Sequence, residues 1–484
     1  MKKFLFGLIC FSWLIGSCAP VTLSTPATVT STLQNVPVID TATGTPSPLP
    51  SATPTASITS LPTIPTFTPT FDARTIITVT PASPAECPKE NPELIADFSI
   101  PDVDFCRAGG SCYTNNTAEE ILNFLNQGGT LSAVTIRLEK VNGISGVMGG
   151  NFILADLTND SVPEFIFRDF SVITGIHIFT CELGKYYLFD ALRIDPMDIR
   201  SIEDLNNNGL LELIISGGFC SGSGCISLGI YEWNGDTYRD LSDNNIGIVG
   251  PKSVEIKDYD SDGIKEITLT GEHPGSCCMD LMTPWRYKTV VYSWNGNTYS
   301  ASYVSFDAPQ KRFQAVQDAD REALYDKYDF ALAYYREAIF NLDLEWWTRE
   351  RRDYEVKLFY DSYKTITPTP LPILLEDTTE YPKLAAYSYY RIMLLHLAQS
   401  RESDAGTVYN TLQQKFGNDP NGRPYVEMAT AFWDAYQSTH KMYDGYAAAI
   451  QYAAEHPEIL IPLGSDYHGS QSKIYKPEDV CPFR

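Results

Sequence analysis

The sequence predicts a multidomain chain in which a radial array of small antiparallel β-sheets precedes a stack of α-helix pairs, an α-solenoid. Three observations predict it. A nine-residue phrase recurs at Asp156 (DLTNDSVPE), Asp204 (DLNNNGLLE) and Asp258 (DYDSDGIKE), each time running into an apolar triplet, FIF, LII or ITL. Segments alternating aromatic and β-branched residues about a turn follow each phrase. Beyond Pro309 the apolar spacing changes from a period of 2 to one near 3.6, the mark of strands giving way to helices.

The phrases begin 48 and 54 residues apart, and a repeat of that period means stacked supersecondary units. The second and third are followed by GIYEWNGDTYRDLS from Gly229 and VVYSWNGNTYSASY from Val290, the first by a degenerate HIFTCELGKYYLFD from His177. Asn-Gly between such residues is the strongest short-range hairpin signal, because both turn positions must tolerate positive φ. Each repeat therefore reads as loop, strand, strand, tight turn, strand: one small sheet, the blade of a radial array. These repeats resemble the calcium-loop repeats of integrin-type β-propellers, the FG-GAP and VCBS families, from Gly149 to Phe306. The resemblance implies a β-propeller-like domain over 149–308. It departs in number, since propellers close with about four to eight blades and three copies are readable here. The ring is either partial or completed by segments that carry no readable copy.

Hard-cation chemistry gives the loops a role. Ca²⁺ takes about six to eight oxygens, and alternate side chains of a tight loop converge on one point while a glycine permits the sharp turn. The third loop is best equipped, with Asp258, Asp260, Asp262 and Glu266 around Gly263. The second offers Asp204, Asn206, Asn208 and Glu212 around Gly209, with two charges only. The first offers Asp156, Thr158, Asp160 and Glu164, but Ser161 replaces the glycine and Pro163 stiffens the turn. An EF-hand is excluded, because its bidentate Glu at position 12 is Ile215 in the second copy and Leu269 in the third. The competing reading is a set of metal-free Asx turns. Calcium bound here is expected to be structural.

The N-terminus gives an address. Lys2 and Lys3 precede an apolar run from Phe4 to Ile15, too short to span a bilayer, so residues 1–17 read as a secretory leader. Ile15-Gly16-Ser17-Cys18 resembles the bacterial lipobox, with Ile where Leu is commoner. The resemblance implies lipidation of Cys18 and a chain anchored at the outer face of a bacterial membrane. Loss of Lys2 and Lys3 takes the formal charge from −24 to −26. Such acidity excludes nucleic acid, whose affinity comes from Lys and Arg. Residues 18–85 form a tether: the 67 residues from Ala19 hold twelve prolines and only Asp40, Asp72 and Arg74 as charges, too little to bury a core. Fully extended it would reach on the order of 200 Å.

Nine cysteines remain beyond Cys10 and Cys18, and in an exported chain they read as disulfides. Cys220 with Cys225 is the easiest pair, Cys106 with Cys112 the next; the adjacent Cys277 and Cys278 would bond separate partners, one of them conceivably Cys481. The odd count leaves a thiol over. Residues 86–148 form a small α-hairpin cap, one helix opening at Thr117 as N-cap with Glu120 three residues on and a second carrying Leu131, Val134, Leu138 and Val141.

Residues 309–484 are helical. Ala331, Tyr335 and Ala338, and likewise Ala405, Tyr409 and Leu412, place small residues and a ring at spacings of four and three, so that two helices approach closely. Both segments resemble helix B of tetratricopeptide repeats, with Gln310 to Lys327 and Lys383 to Gln399 as their first helices. A third pair is expected over Tyr425 to Lys441 and Tyr443 to Glu455, and an inserted helix over Leu344 to Tyr363. The resemblance implies a surface for proteins or peptides. Catalytic signatures are missing: there is no GxSxG, HExxH, P-loop or dinucleotide fingerprint, and the six histidines are scattered. The function expected is non-catalytic binding or scaffolding of protein partners at the cell envelope. The alternative is an extracellular glycan-binding or glycan-processing protein.

Overall fold

The computed structural model describes residues 86–98, 116–142, 152–168, 175–193, 198–218, 224–242, 246–271, 284–363, 373–464 and 473–481. The leader, the tether, Cys18, Cys106, Cys112, Cys220, Cys277 and Cys278 lie outside them. From residue 152 on, antiparallel sheets come first and helices second, in the order the change of period implies.

Three antiparallel sheets follow one another along the chain, each made by neighbouring strands in sequence order. The first holds β1 (Phe152–Ala155), β2 (Glu164–Arg168), β3 (Gly175–Glu182) and β4 (Lys185–Arg193). The second holds β5 (Asp198–Glu203), β6 (Glu212–Gly217), β7 (Cys225–Trp233) and β8 (Tyr238–Asp240), with β9 (Gly247–Val249) added against β7. The third holds β10 (Ser253–Lys257), β11 (Glu266–Gly271), β12 (Lys288–Trp294) and β13 (Tyr299–Phe306). Each nine-residue phrase joins the first two strands of its sheet, and its terminal glutamate closes the ladder opposite Ala155, Glu203 or Lys257.

The apolar triplets are continuous because both faces of β2, β6 and β11 are covered. Phe165 and Phe167 pack under two helices, α1 (Asn116–Asn126) and α2 (Leu131–Asn142), together with Ile121, Leu125, Val134 and Leu138. Ile166 turns the other way, toward Leu213 and Ile215 of the second sheet. Ile214 in turn meets Ile267 and Leu269 of the third. Sheets thus lie face to face in a row capped at one end by a helical hairpin, with Thr117 inside α1 rather than at its cap. Among the described residues the sheets do not close into a barrel or a ring.

The hairpins differ from expectation. Trp233 pairs with Tyr238 and Trp294 with Tyr299, so Asn-Gly sits in a four-residue loop and not a two-residue turn. Asn234 and Asn295 use their side-chain oxygens to accept the N–H groups of Asp236 and Thr237, and of Asn297 and Thr298. Only the glycines take positive φ there, 99° at Gly235 and 93° at Gly296. The degenerate first copy makes the two-residue turn instead, Leu183 and Gly184 both at positive φ.

The helical part comprises α3 (Arg312–Leu324), α4 (Tyr328–Phe340), α5 (Arg349–Tyr363), α6 (Glu380–Ala398), α7 (Glu402–Phe416), α8 (Arg423–Thr439) and α9 (Met442–Glu455). α3 packs on α4, α6 on α7 and α8 on α9; α4 and α7 each also touch the first helix of the next pair, and α3, α6 and α8 touch in turn. Ala331, Tyr335, Ala338, Ala405 and Leu412 are buried in one shared core. The inserted helix starts at Arg349, not Leu344, because Glu345 is committed to Gln310 and Arg312 through backbone hydrogen bonds of 3.0 and 3.1 Å. Its backbone is therefore extended where the helix was expected to begin.

Residues 473–481 fold back into this core. Tyr475, Val480 and Cys481 are buried, and the turn Pro477–Val480 packs on α9. Cys481 is a free thiol, which excludes it as a partner for Cys277 or Cys278. Burial pushes its pKa up to about 11, so it stays protonated and inert. The described disulfide is Cys87–Cys181, tying residues 86–98 to β3. Cys225 is also disulfide-bonded.

Glu380, at the start of α6, is 3% exposed and accepts the Trp347 N–H at 3.0 Å. Burial, partly offset by the Trp347 N–H and the Arg312 charge, pushes its carboxyl up to about 8 from an ordinary 4.5. Because the folded-state value is the higher one, ionisation opposes folding. The penalty is nil below about pH 4.5, grows between 4.5 and about 8, and is complete above. Glu380→Gln keeps the acceptor and is expected to raise the melting temperature at pH 9 and leave it nearly unchanged at pH 4.5. Thermal melts at the two pH values check this, an equal shift at both being the contrary result.

Candidate functional site

The three Asp loops share one backbone. Their fourth and sixth positions take positive φ in every copy: Asn159 (57°) and Ser161 (68°), Asn207 (58°) and Gly209 (92°), Ser261 (65°) and Gly263 (89°). The first aspartate holds each turn from inside. Asp156 accepts the N–H groups of Asp160 and Ser161, Asp204 those of Asn208 and Gly209, and Asp258 those of Ser261 and Gly263, at 2.6–3.2 Å. The fifth residue accepts the N–H two positions on, Asp160 from Val162, Asn208 from Leu210 and Asp262 from Ile264, each at 2.8 Å. Ser161 thus adopts a left-handed conformation that glycine would take without steric cost.

The ninth-position glutamates brace the loops from beneath. Glu164 accepts Leu157 N–H at 2.7 Å and Thr158 N–H at 3.2 Å, Glu212 accepts Leu205 N–H at 2.6 Å, and Glu266 accepts Tyr259 N–H at 3.0 Å. All three are almost fully buried. Burial pushes Glu164 and Glu266 up to about 7, with the nearby loop carboxylates adding to the rise, and Glu212 up to about 9, with Glu232 and then Asp204 adding to it.

The third loop alone, among the described residues, brings three carboxylates together: one oxygen each from Asp258, Asp260 and Asp262 lies within 4.8 Å of the others. Burial raises the pKa of Asp260, and the like charges of Asp262 and Asp258 raise it further. A divalent cation would relieve that repulsion, and hard oxygen donors at this spacing suit Ca²⁺. Glu266 stands outside the triad, turned to the loop's own amide. In the second loop Asp204 is joined by neutral Asn206 and Asn208, and here the structure adds a residue that sequence reasoning missed. Glu232 of β7 accepts Nδ2–H from Asn206 at 2.8 Å and from Asn208 at 2.6 Å, holding both carboxamides so that their oxygens face back into the loop. In the first loop Thr158 Oγ1 lies 3.2 Å from Glu164 Oε1, so its hydroxyl turns from the loop centre.

Loops two and three are joined, since Lys265 N–H donates to Leu205 O at 2.8 Å and Lys265 Nζ pairs with Glu203. A Cβ at Gly263 would come within 2.8 Å of Asn207 Nδ2, a second reason for glycine at this position. Tyr238 and Tyr299, which follow the Asn-Gly loops of the second and third sheets, sit over the loop of the preceding sheet. Burial and the charges of Glu164 and Asp160 raise Tyr238, and burial and the charge of Glu212 raise Tyr299. No protein-family model and no curated protein matches this chain.

Proposed function

We propose that this chain is a bacterial surface lipoprotein that binds or scaffolds protein partners at the cell envelope without catalysis, its β repeats held by structural calcium. The observation that carries the calcium part is the Asp258, Asp260 and Asp262 triad, set in a loop backbone that recurs three times. The face-to-face sheets support reading them as blades of a partial, β-propeller-like array. The succession of helix pairs, each touching the first helix of the next, supports a tetratricopeptide-like stack. Asp320 of α3 and Arg391 of α6 already hold the chain's own segment 473–481. A protein partner would then use helix faces which that segment leaves open.

The membrane enters this reading through the lipid on Cys18 alone, and no helix among the described residues is long and apolar enough to cross a bilayer. Cys18→Ser is expected to move the protein from the membrane fraction to the soluble fraction. Detergent partitioning of the variant measures this, and a variant that stays in the detergent phase contradicts the anchor.

A further inference from the structure

Any pull on the chain from its N-terminal side reaches the described residues at Glu86 and Cys87. Both are fastened to the turn end of a hairpin: Cys87 is bonded to Cys181 of β3, 94 residues on, and Glu86 O accepts the Gly184 N–H of the β3–β4 turn at 2.5 Å. β3 lies between β2 and β4, and Cys181 is 3% exposed. The disulfide therefore reaches an inner strand and not a surface loop.

Register decides what such a pull does. Without the disulfide, the load would run from residue 88 through α1 and α2 to β1, an edge strand of four residues. Phe152, where it enters β1, pairs with Phe167, next to Arg168 where it leaves β2, so the pairs of that hairpin open one after another. The next hairpin has the same weakness, since load entering β3 at Gly175 and leaving β4 at Arg193 acts on two residues that face each other. With the disulfide the load enters at Cys181, opposite Tyr186 beside the turn, and still leaves at Arg193, at the other end. It runs lengthwise along β4, a strand already extended, which yields length only if its eight register pairs with β3 slip together. Ladder hydrogen bonds lie across the strands, so a lengthwise load acts on all of them at once. Residues 88–180 lie outside the load path.

We propose that Cys87–Cys181 is a force clamp, which carries a pull from the N-terminal side past the first two strands and turns unzipping of the first sheet into lengthwise load on β4. Its use at a cell surface rests on the anchor and partner binding proposed above. The clamp itself does not, so the fractionation of Cys18→Ser and the pulling experiment can fail separately. The full chain is stretched by optical tweezers between handles at its two termini, first oxidised, then after reduction of the folded chain, and as Cys87→Ala, which leaves every other cysteine in place. Cys87→Ala is expected to extend about 310–340 Å further than the oxidised parent, the length of 94 residues. In that variant and in the reduced parent, residues 88–180 are expected to come out at a lower force than the rupture that opens the sheets of the oxidised chain. Reduction after folding gives the same force reading if Cys87→Ala does not fold. Release of those residues only at the force that opens the oxidised sheets, or an oxidised parent that already extends as far as Cys87→Ala, would overturn the proposal.

Discussion

Asp320→Ala is expected to destabilise the helical part by about 3–5 kcal/mol, the usual cost of leaving a buried charge unpaired. Asp320 is 2% exposed at the junction of α3, α4, α6 and the C-terminal segment. Its carboxylate accepts hydroxyl protons from Tyr335, from Tyr387 at 3.1 Å and from Tyr475 at 2.7 Å, and pairs with Arg391 Nη2 at 3.1 Å. Arg391 is as deeply buried and also donates to Asp479 O at 2.9 Å, so one carboxylate anchors both the helix stack and residues 473–481. Alanine would strand the guanidinium and three hydroxyls at once. Asp320→Asn, which keeps an acceptor and loses the charge, should fall between. Urea denaturation followed by circular dichroism measures both, and a loss below about 1 kcal/mol for the alanine variant would contradict the network's role.

Arg286→Ala should cost about 3 kcal/mol and uncouple the sheets from the helices. Arg286 binds Asp318 of α3 through two hydrogen bonds of 2.6 and 2.8 Å and also donates to Asp307 O at 2.8 Å. Both side chains are more than nine-tenths buried. The loss is smaller than for Asp320 because Arg321 stays on Asp318 at 2.7 Å. Other ties across this junction remain, among them Tyr303 OH to Glu322 and Gln314 Nε2 to Pro284 O. Calorimetry is expected to show one unfolding transition in the parent chain and two in the variant. A single transition in the variant, at an unchanged temperature, would mean that the pair contributes nothing to the coupling.

What the sequence disclosed was local. The Asp phrases, the alternation around the Asn-Gly turns and the four-and-three spacing of Ala331, Tyr335 and Ala338 each act within a few residues. Helix limits accordingly fell within a few residues of expectation, except at α5. There a contact between Glu345 and residues 310–312, invisible to periodicity, holds the chain extended. The hairpins form where Asn-Gly marks them, but their turns are wider for a related reason. Asn-Gly specifies a turn, but Asn234 N–H donates to Thr237 O at 3.1 Å, which widens the loop and spares the asparagine a positive φ. Long-range chemistry stayed hidden. Nothing near Glu232 ties it to a loop some two dozen residues upstream, Cys87 meets Cys181 across 94 residues, and Asp320 in the polar run QDADRE reads as a solvated residue. The loop acids were legible as residue types, yet only the fold showed that the glutamates brace amides while the third loop's aspartates converge.

The third Asp loop, proposed to be a calcium site that stabilises the β repeats, is open to direct test by a calcium titration of the full chain. Calorimetry is expected to show saturable binding. The melting temperature should rise with calcium, with about 2.7 kcal/mol of stabilisation once free calcium reaches about a hundred times the dissociation constant. Asp260→Ala, which removes the central member of the triad, should abolish most of both effects. An identical melt in chelator and in millimolar calcium would contradict the claim and leave the three loops as turns held by their own hydrogen bonds.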